Sequence, residues 1–394
     1  MQKRLLVHTA MALAFALLGA AAAELVLRAS GFSAPIWYQP DRELGWTLRP
    51  GAHGWYTREG HAYTEVNPAG FRDRPHTLEK PAGTYRVAVL GDSVAEAFQV
   101  KLESAFWWLL QEKLRTCPAL AGREVEVLNF GVSGYGTAQE YLQLQTTAIR
   151  YQPDLVLLTF ASNDLRNNSL RLEPEKERPF FVAEGEALKL DRSFTARPEF
   201  VSRASLAYER FRSASDSLRV LQLAQAARHS LQGWRAGSAL ANEGEGRKQL
   251  PGVEPGMDLR AFAPPRDAAW HEAWTITERL VADIHAFSAR HHARFVMAVL
   301  THSAQVHPDP GMRKNVLDAL GMADLFYIER RMEALGVREG FPVIALGPEL
   351  LKRAETQKVF FHGFENYHVG WGHWNENGHR AAADILAPRL CAQL

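Results

Sequence analysis

Three short apolar runs, each followed by a turn and then by a helical segment, constrain the fold of this chain more than any other feature. They span residues 85–90, 125–130 and 154–160. Short apolar runs bounded by turn residues are typical of strands buried on both faces. Helical spacing of apolar residues follows the first two runs, over residues 104–115 and 137–151. This strand–helix alternation predicts right-handed crossovers and a parallel sheet.

The alternation stops after the third strand and returns about a hundred residues later. In between, residues 200–234 have the spacing of one or two amphipathic helices, and residues 235–255 are polar, glycine-rich and predicted to be mobile. The later strands are predicted at residues 295–300 and 341–346, and the later helices at residues 268–291, 324–335 and 377–390. We therefore predict one α/β domain of five core strands over residues 85–394, with a helical insertion at about residues 170–265.

The first 30 residues have the composition of an export segment. Lys3 and Arg4 precede an apolar run over residues 5–27, which approaches the roughly 20 residues that span a bilayer. The basic flank favours a cytoplasmic N-terminus and an extracytoplasmic body. Residues 1–30 are thus predicted to be an uncleaved anchor in the inner membrane, with the domain in the periplasm. A cleaved signal peptide and a buried core helix are the alternatives.

Residues 31–84 differ from the domain that follows, being rich in Gly, Pro, Trp and Tyr without sustained periodicity. They are predicted to form an irregular N-terminal extension with short strands that packs on the domain. The formal net charge is +1, from 45 basic and 44 acidic residues, and no long basic run occurs. This balance argues against nucleic acid as a partner. No cofactor is predicted.

Reactive residue types follow the predicted strands, at the edge where open parallel sheets bind ligands. Ser93 follows the first strand, Gly134 the second and Asn163 the third, and His373 precedes the last helix. A serine becomes a useful nucleophile beside a histidine base, and its oxyanion needs preorganised donors. We predict Ser93 as nucleophile and His373 as base, with Asp92 supporting the turn. The predicted oxyanion hole comprises the N–H groups of Ser93 and Gly134 and the Asn163 amide.

This pattern resembles the SGNH hydrolase superfamily, also known as GDSL-type esterases and lipases. The matching blocks are residues 89–93, 129–134, 162–164 and 373–379. The resemblance implies a flavodoxin-like three-layer α/β/α fold and ester chemistry through an acyl-Ser93 intermediate. Residues 44–51 and 67–72 look like the segment that precedes the domain in membrane-anchored bacterial members. Those members are often associated with processing of the cell envelope or of exopolysaccharide.

One position departs from the superfamily pattern. An aspartate usually stands three residues before the histidine, where this chain has Gly370. The candidate orienting acid is Glu365, on a loop rich in glycine and aromatic residues, and Asp164 or a backbone carbonyl are the alternatives. Loss of the orienting acid of a serine protease costs about four orders of magnitude in turnover. A missing acid would therefore favour slow acyl transfer over strong hydrolysis.

Histidines and tryptophans near the proposed base allow other interpretations. Four histidines fall in one stretch, at positions 362, 368, 373 and 379. Their spacing matches no zinc motif, so no metal site is predicted. Trp374, directly beside the base, is the one tryptophan that we connect to substrate. Trp270 and Trp274, four residues apart on a helix, are predicted to be core or interface residues.

The two cysteines are Cys117 and Cys391, and they form no CxxC pair. In a flavodoxin-like fold the first and last helices of the domain pack on the same face of the sheet. Cys117 lies at the end of the first of these helices and Cys391 near the end of the last. We therefore predict that they form a disulfide in an oxidising compartment.

The leading expectation is an extracytoplasmic serine esterase or O-acyltransferase that acts on acyl esters, above all O-acetyl esters, of envelope or secreted polysaccharide. A lipase or thioesterase that acts on lipid acyl chains is the first alternative. The second is a catalytically degenerate scaffold that binds glycan or a partner in an export complex.

Overall fold

The helices and strands described below come from a computed structural model, which describes residues 2–185, 187–228 and 258–394. The predicted mobile segment, residues 235–255, lies outside this range. The strands are β1 (Tyr38–Asp41), β2 (Gly45–Leu48), β3 (His53–Tyr56), β4 (Ala62–Glu65), β5 (Thr84–Gly91), β6 (Glu124–Asn129), β7 (Leu155–Phe160), β8 (Phe180–Glu184), β9 (Ala187–Asp191), β10 (Arg294–Val299) and β11 (Val343–Ala345).

The helices follow the predicted alternation, with additional helices α2, α5, α10 and α12 in segments where the sequence predicted none. They are α1 (Gln2–Ala29), α2 (Ser93–Glu96), α3 (Phe106–Leu114), α4 (Thr137–Thr146), α5 (Asp164–Asn167), α6 (Pro198–Arg203), α7 (Leu206–Ser217), α8 (described over 219–228), α9 (Ala268–Arg290), α10 (Pro310–Leu320), α11 (Tyr327–Glu339), α12 (Gly347–Gln357) and α13 (Glu376–Cys391).

Five parallel strands form the central sheet, in the order β11-β10-β7-β5-β6. This is the flavodoxin-like order, and it confirms the predicted fold class. The strand order reverses between β5 and β7, so the crevice outside their carboxyl ends is the expected ligand site. Both strands are buried along their whole length, which explains their continuous apolar sequence.

Two layers of helices cover the sheet, because successive side chains of a buried strand point to opposite faces. In β5, Val87 and Val89 pack towards α3, α12 and α13, whereas Ala88 and Leu90 pack towards α4, α9 and α11. The predicted aromatic stripe of α9 is part of the second layer, with Trp270 and Trp274 almost fully buried. On the first layer, the structure joins Cys117 to Cys391 in a disulfide between α3 and α13, the pairing expected from the sequence.

The N-terminal extension forms two short antiparallel hairpins, β1–β2 and β3–β4. Its apolar residues Leu44, Leu48 and Val66 are buried in the same core as the domain helices. The extension therefore packs onto the domain, as its mixed composition indicates. Its β3–β4 connection lies beside the loop that precedes α13.

The insertion is less uniformly helical than the sequence predicts. It begins with the antiparallel hairpin β8–β9, and the helices α6, α7 and α8 follow. Phe180 and Phe181 at the start of the hairpin are buried, so tertiary packing holds this segment in a strand.

Candidate active site

The proposed nucleophile lies at the switch point of the sheet. Ser93 is the first residue of α2, directly after β5, and is half-buried. Asp92 caps this helix, because its Oδ1 accepts the N–H of Val94 at 2.9 Å. Its other oxygen accepts a hydrogen bond from Asn163, which follows β7, at 3.0 Å. Burial raises the pKa of the Asp92 carboxyl, and hydrogen bonds from Val94 and Asn163 offset part of that effect.

The proposed base meets the nucleophile although the two are far apart in sequence. Nε2 of His373 lies 2.8 Å from Oγ of Ser93. This is the distance at which a histidine can take a hydroxyl proton. His373 is carried by the loop before α13, and it is half-buried like Ser93. The structure thus brings together the two residues that the sequence singled out first.

The carboxylate at this histidine comes from the N-terminal extension. Oε2 of Glu59 lies 2.5 Å from Nδ1 of His373, and Oε1 accepts the backbone N–H of the same residue at 2.6 Å. Glu59 is 7% exposed and lies in the turn between β3 and β4. A carboxylate at Nδ1 favours the tautomer that carries its proton there and presents a lone pair at Nε2 to the serine.

This placement corrects the sequence expectation, which assigned the orienting role to Glu365. Glu365 is exposed on its loop, and Glu59 is the carboxylate bonded to Nδ1 of His373. The alternative, Asp164, is fully buried and accepts a hydrogen bond from Thr137 at 3.1 Å. Spacing along the chain could not indicate Glu59, because it precedes His373 by 314 residues.

Two residues of the loop that carries His373, here called the histidine loop, allow the turn with Glu59 to pack against it. Gly372 has φ +73°, and a Cβ there would lie 2.2 Å from Oε1 of Glu59, so only glycine fits. The side chain of Asn366 donates to the carbonyls of Thr57 and Gly60 at 3.1 and 2.8 Å. Its Oδ1 accepts the N–H of Gly60 at 2.9 Å. Asn366 therefore fastens both sides of the turn that carries Glu59.

The turn that follows β6, which contains Ser133 and Gly134, is hydrogen-bonded to the Glu96 side chain of α2. Ser133 donates its backbone N–H to Oε1 of Glu96 at 3.1 Å, and its hydroxyl also bonds that carboxylate. Tyr38 of the extension donates to the same carboxylate at 2.9 Å. Burial raises the pKa of Glu96 to about 7, although these hydrogen bonds oppose the shift. The contacts fix the turn that precedes Gly134 against α2.

The predicted oxyanion donors are at this edge of the sheet, with one difference from expectation. Gly134 has φ +78°, and a Cβ there would lie 3.2 Å from the Trp46 ring, so the turn packs closely on the extension. The Asn163 amide donates to Asp92 and to Oδ1 of Asn167, both at 3.0 Å. Both of its N–H groups are therefore engaged, and the amide can reach an oxyanion only by sharing or releasing one of these bonds.

A buried arginine from the extension supports the nucleophile helix at its other end. Arg72 is 1% exposed and donates to the carbonyls of Glu96, Ala97 and Val100. Glu96 is the last residue of α2, Ala97 follows it and Val100 lies in the loop beyond, so Arg72 fixes the end of the helix together with that loop. Burial lowers the pKa of Arg72 to about 10, which leaves it charged at neutral pH. In the sequence, residues 67–72 stand out only through their resemblance to the segment that precedes the domain in membrane-anchored members.

The remaining histidines of the cluster pack within the protein or on its surface. His362 and His379 are buried, and burial lowers the pKa of each to about 3, so both are neutral. His368 is exposed and stacks on Trp371. Within residues 2–185, 187–228 and 258–394, no group of three or more His, Cys, Asp or Glu side chains is arranged to hold a metal ion.

Trp374 is the second site expectation that the structure corrects. It is fully buried, and its indole N–H donates to the hydroxyl of Thr301 at 2.9 Å. Its ring packs edge-on against Phe106 and His379. Although Trp374 adjoins His373 in sequence, it anchors the histidine loop in the core and does not face substrate.

Comparison with known proteins gives matches among solved structures only. No family model matches the chain, and no curated protein matches it. Acetyl xylan esterase AlAXEase is 12% identical with a TM-score of 0.38, and the match covers 77% of this chain and 99% of that one. A catalytic mutant of an acetylxylan esterase from Geobacillus stearothermophilus is 9% identical (TM-score 0.38, coverage 78% and 94%). A GDSL-like lipase from Bacteroides thetaiotaomicron is 10% identical (TM-score 0.33, coverage 78% and 89%).

Proposed function

We propose that this chain is a membrane-anchored serine esterase of the SGNH hydrolase type, with Ser93, His373 and Glu59 as its catalytic triad. The observation that carries the proposal is the continuous chain of contacts from Ser93 Oγ to His373 Nε2 at 2.8 Å and from His373 Nδ1 to Glu59 at 2.5 Å. Nucleophile, base and orienting acid in this arrangement are what acyl transfer through serine requires.

The reaction follows from this geometry. His373 Nε2 takes the hydroxyl proton as Ser93 Oγ attacks the carbonyl carbon of an acyl ester. The N–H groups of Ser93 and Gly134 are the proposed donors to the resulting oxyanion. The tetrahedral intermediate collapses to an acyl-Ser93 ester, and His373 returns the proton to the departing alcohol. Water, activated by the same histidine, then attacks the acyl group and releases the carboxylic acid and free Ser93.

The carboxylate at His373 favours catalysis over the alternative of a degenerate scaffold. That alternative depended on Gly370, which stands where the superfamily pattern has an aspartate. Glu59 supplies a carboxylate from another part of the chain, so the histidine has the partner that strong hydrolysis needs. Transfer of the acyl group to a second alcohol uses the same intermediate, and it differs only in the molecule that attacks the acyl-serine.

We propose acyl esters of carbohydrate, above all O-acetyl esters of envelope or secreted polysaccharide, as the substrate class. Trp55 and Tyr63 form an edge-to-face pair on the hairpin that carries Glu59. They are 38% and 46% exposed. Exposed aromatic rings offer flat apolar surfaces on which sugar rings can stack, and these two lie on the hairpin whose turn carries Glu59. This observation favours glycan esters over lipid acyl chains.

The helix α1 supports a membrane location. Within the described residues, Arg4–Ala29 is the segment long and apolar enough to cross a bilayer, and its apolar stretch of 18 residues contains no buried residue. A helix of 26 residues exceeds the roughly 20 needed to span the hydrocarbon core. We propose that it anchors the chain and that the domain lies outside the cytoplasm.

The test is covalent labelling of the full-length chain in isolated membranes with a fluorophosphonate probe. We expect labelling of the wild type and its loss in Ser93→Ala, together with loss of acetate release from acetylated oligosaccharides. Absence of labelling in the wild type, with no acid released from a panel of acetyl and longer-chain esters, would overturn the proposal. An added glycan acceptor distinguishes transfer from hydrolysis, because transfer places the acyl group on the acceptor.

A further inference from the structure

The end of α1 is bonded to the insertion. Oε2 of Glu24 accepts the backbone N–H of Val220 at 3.0 Å, which caps the start of α8. Nη2 of Arg28 donates to the carbonyl of Ser217, the last residue of α7, at 2.5 Å. Glu24 and Arg28 also form an ion pair at 2.7 Å. The one carboxylate in the apolar N-terminal run therefore serves to hold the α7–α8 junction against α1.

This junction lies at the depth where α1 leaves a bilayer. If Arg4 marks the cytoplasmic boundary, the roughly 20 residues that cross the hydrocarbon core end near Glu24. Leu25 and Val26, the next residues of α1, remain 68% and 67% exposed in the structure. The insertion is thus attached to the anchor at the level of the lipid headgroups on the far side of the membrane.

The helix attached there is amphipathic. Residues of α7 that point into the protein recur at helical spacing, at Tyr208, Arg212 and Ser215. An adjoining face is apolar and exposed, at Ala207, Phe211 and Ala214. Leu218 follows directly after this helix, and it is 42% exposed. Leu223 on α8 is exposed to the same extent.

The charge of this segment suits a lipid surface. Between positions 197 and 228 the chain has six arginines and three carboxylates. Arg212 is buried and Arg203 pairs with Glu177, whereas Arg197, Arg210 and Arg228 are exposed. An exposed apolar face flanked by arginine is typical of helices that lie in a membrane interface, where the apolar side chains enter the acyl boundary and the arginines reach phosphate groups. A soluble partner would also cover an apolar face, but the direct attachment to α1 brings a bilayer to this surface without any further component.

We propose that α7 and α8 lie on the extracytoplasmic surface of the membrane, with Phe211, Leu218 and Leu223 in the headgroup region. This inference rests on the proposed anchoring by α1. The contact would give the catalytic domain a fixed orientation over the bilayer, because α7 and α8 as well as α1 would then hold it at the membrane.

The test measures membrane depth in the full-length chain reconstituted into phosphatidylcholine–phosphatidylglycerol vesicles. Nitroxide labels are placed on single introduced cysteines, since both native cysteines are joined in a disulfide. The variants Phe211→Cys and Leu218→Cys report on the proposed contact. Ser213→Cys, exposed on another face of α7, is the matched control, and Leu13→Cys reports on α1. Fluorophosphonate labelling of each variant checks that it folds.

Collision rates with oxygen, which dissolves in lipid, and with a water-soluble nickel complex give the depth of each label. We expect the nickel rate at positions 211 and 218 to be severalfold lower than at position 213, and the oxygen rate to be higher. Equal nickel rates at the three positions, with a lipid-buried label at position 13, would overturn the proposed surface contact and leave the anchor intact. A water-exposed label at position 13 would instead overturn the anchor on which the inference rests.

Discussion

The α/β domain and the N-terminal extension contribute to the same site in different ways. The domain supplies Ser93 and His373 from turns that follow or precede regular elements. The extension supplies Glu59, the carboxylate at the base, and Arg72, which holds the nucleophile helix. Sequence motifs therefore indicate the proposed nucleophile and base, whereas Glu59, the proposed orienting carboxylate, comes from a segment without sustained periodicity. The comparison predicts that the extension is required for turnover as well as for packing.

The largest expected effect is at the carboxylate that the extension supplies. Glu59→Gln keeps the shape of the side chain but presents an amide N–H or a neutral oxygen to Nδ1 of His373. The imidazole then loses the partner that holds its catalytic tautomer, and we expect kcat to fall by about 10⁴-fold. Steady-state kinetics of ester hydrolysis by the full-length chain measure this loss.

The matched control is Glu365→Gln, since Glu365 is an exposed carboxylate on the histidine loop. We expect its kcat to stay within about twofold of the wild type, because surface substitutions away from a site have small effects. A large loss in Glu365→Gln together with a small one in Glu59→Gln would reverse the assignment and restore the acid that local sequence indicated.

The sequence predicts the domain's contribution to the site better than the contribution of the N-terminal extension. The five strands and the turns that carry Ser93 and His373 follow from apolar runs and from turn residues beside them, which are local patterns, and the flavodoxin-like fold was implied by the family resemblance. Glu59 could not be found in this way, because its contact with His373 joins residues 314 positions apart. The one signal for it was negative: Gly370, where an aspartate is usual, indicated that any acid must come from elsewhere.

Two further differences between the predicted and the observed structure also arise from contacts between residues far apart in sequence. Trp374 follows the base in sequence, yet its side chain turns into the core, and only the packing around Phe106 reveals this. The hairpin β8–β9 was missed because its two strands alternate weakly, with Phe180 and Phe181 buried together at one end. Long-range packing decided each of these positions, and a pattern read along the chain does not contain it.

The second prediction concerns the domain, in which a covalent bond joins two helices, whereas the extension is attached to the domain by apolar packing and hydrogen bonds. The disulfide Cys117–Cys391 joins α3 to α13 across 274 residues. Removing it in Cys117→Ser/Cys391→Ser should lower the free energy of unfolding by about 2–4 kcal/mol. Thermal unfolding in detergent measures the loss, and esterase activity at 25 °C should persist. If a reductant destabilises the double variant as much as the wild type, the effect does not arise from this bond.

A third prediction tests Glu96, the carboxylate that contacts both regions. Its pKa is raised to about 7 by burial, whereas in the unfolded chain it titrates near 4.5. Between these values the unfolded state loses the proton first, so stability falls as pH rises from about 4.5 to 7. The loss from this group is on the order of 3 kcal/mol. Unfolding midpoints at pH 5 and pH 7.5 in Glu96→Gln, which cannot ionise, should differ less than in the wild type. An equal pH dependence in both proteins would contradict this role.

The smallest expected effect is at the link between the extension and the histidine loop. Asn366 fastens the turn of Glu59 through three hydrogen bonds, so Asn366→Ala should loosen that turn without removing a reacting group. We expect kcat to fall by about 10-fold with KM unchanged, because misplacing an orienting group affects the transition state more than binding. The control is Asn377→Ala, an exposed asparagine on α13, which should leave kcat unaltered.

If Asn366 acts through Glu59, the two substitutions are not additive. In the background of Glu59→Gln there is no orienting carboxylate left to misplace, so adding Asn366→Ala should lower kcat no further. A double variant that shows the full product of the two single losses would mean that Asn366 supports His373 by another route. The cycle therefore decides whether the hydrogen bonds between extension and loop serve the triad acid or only the packing of the two regions.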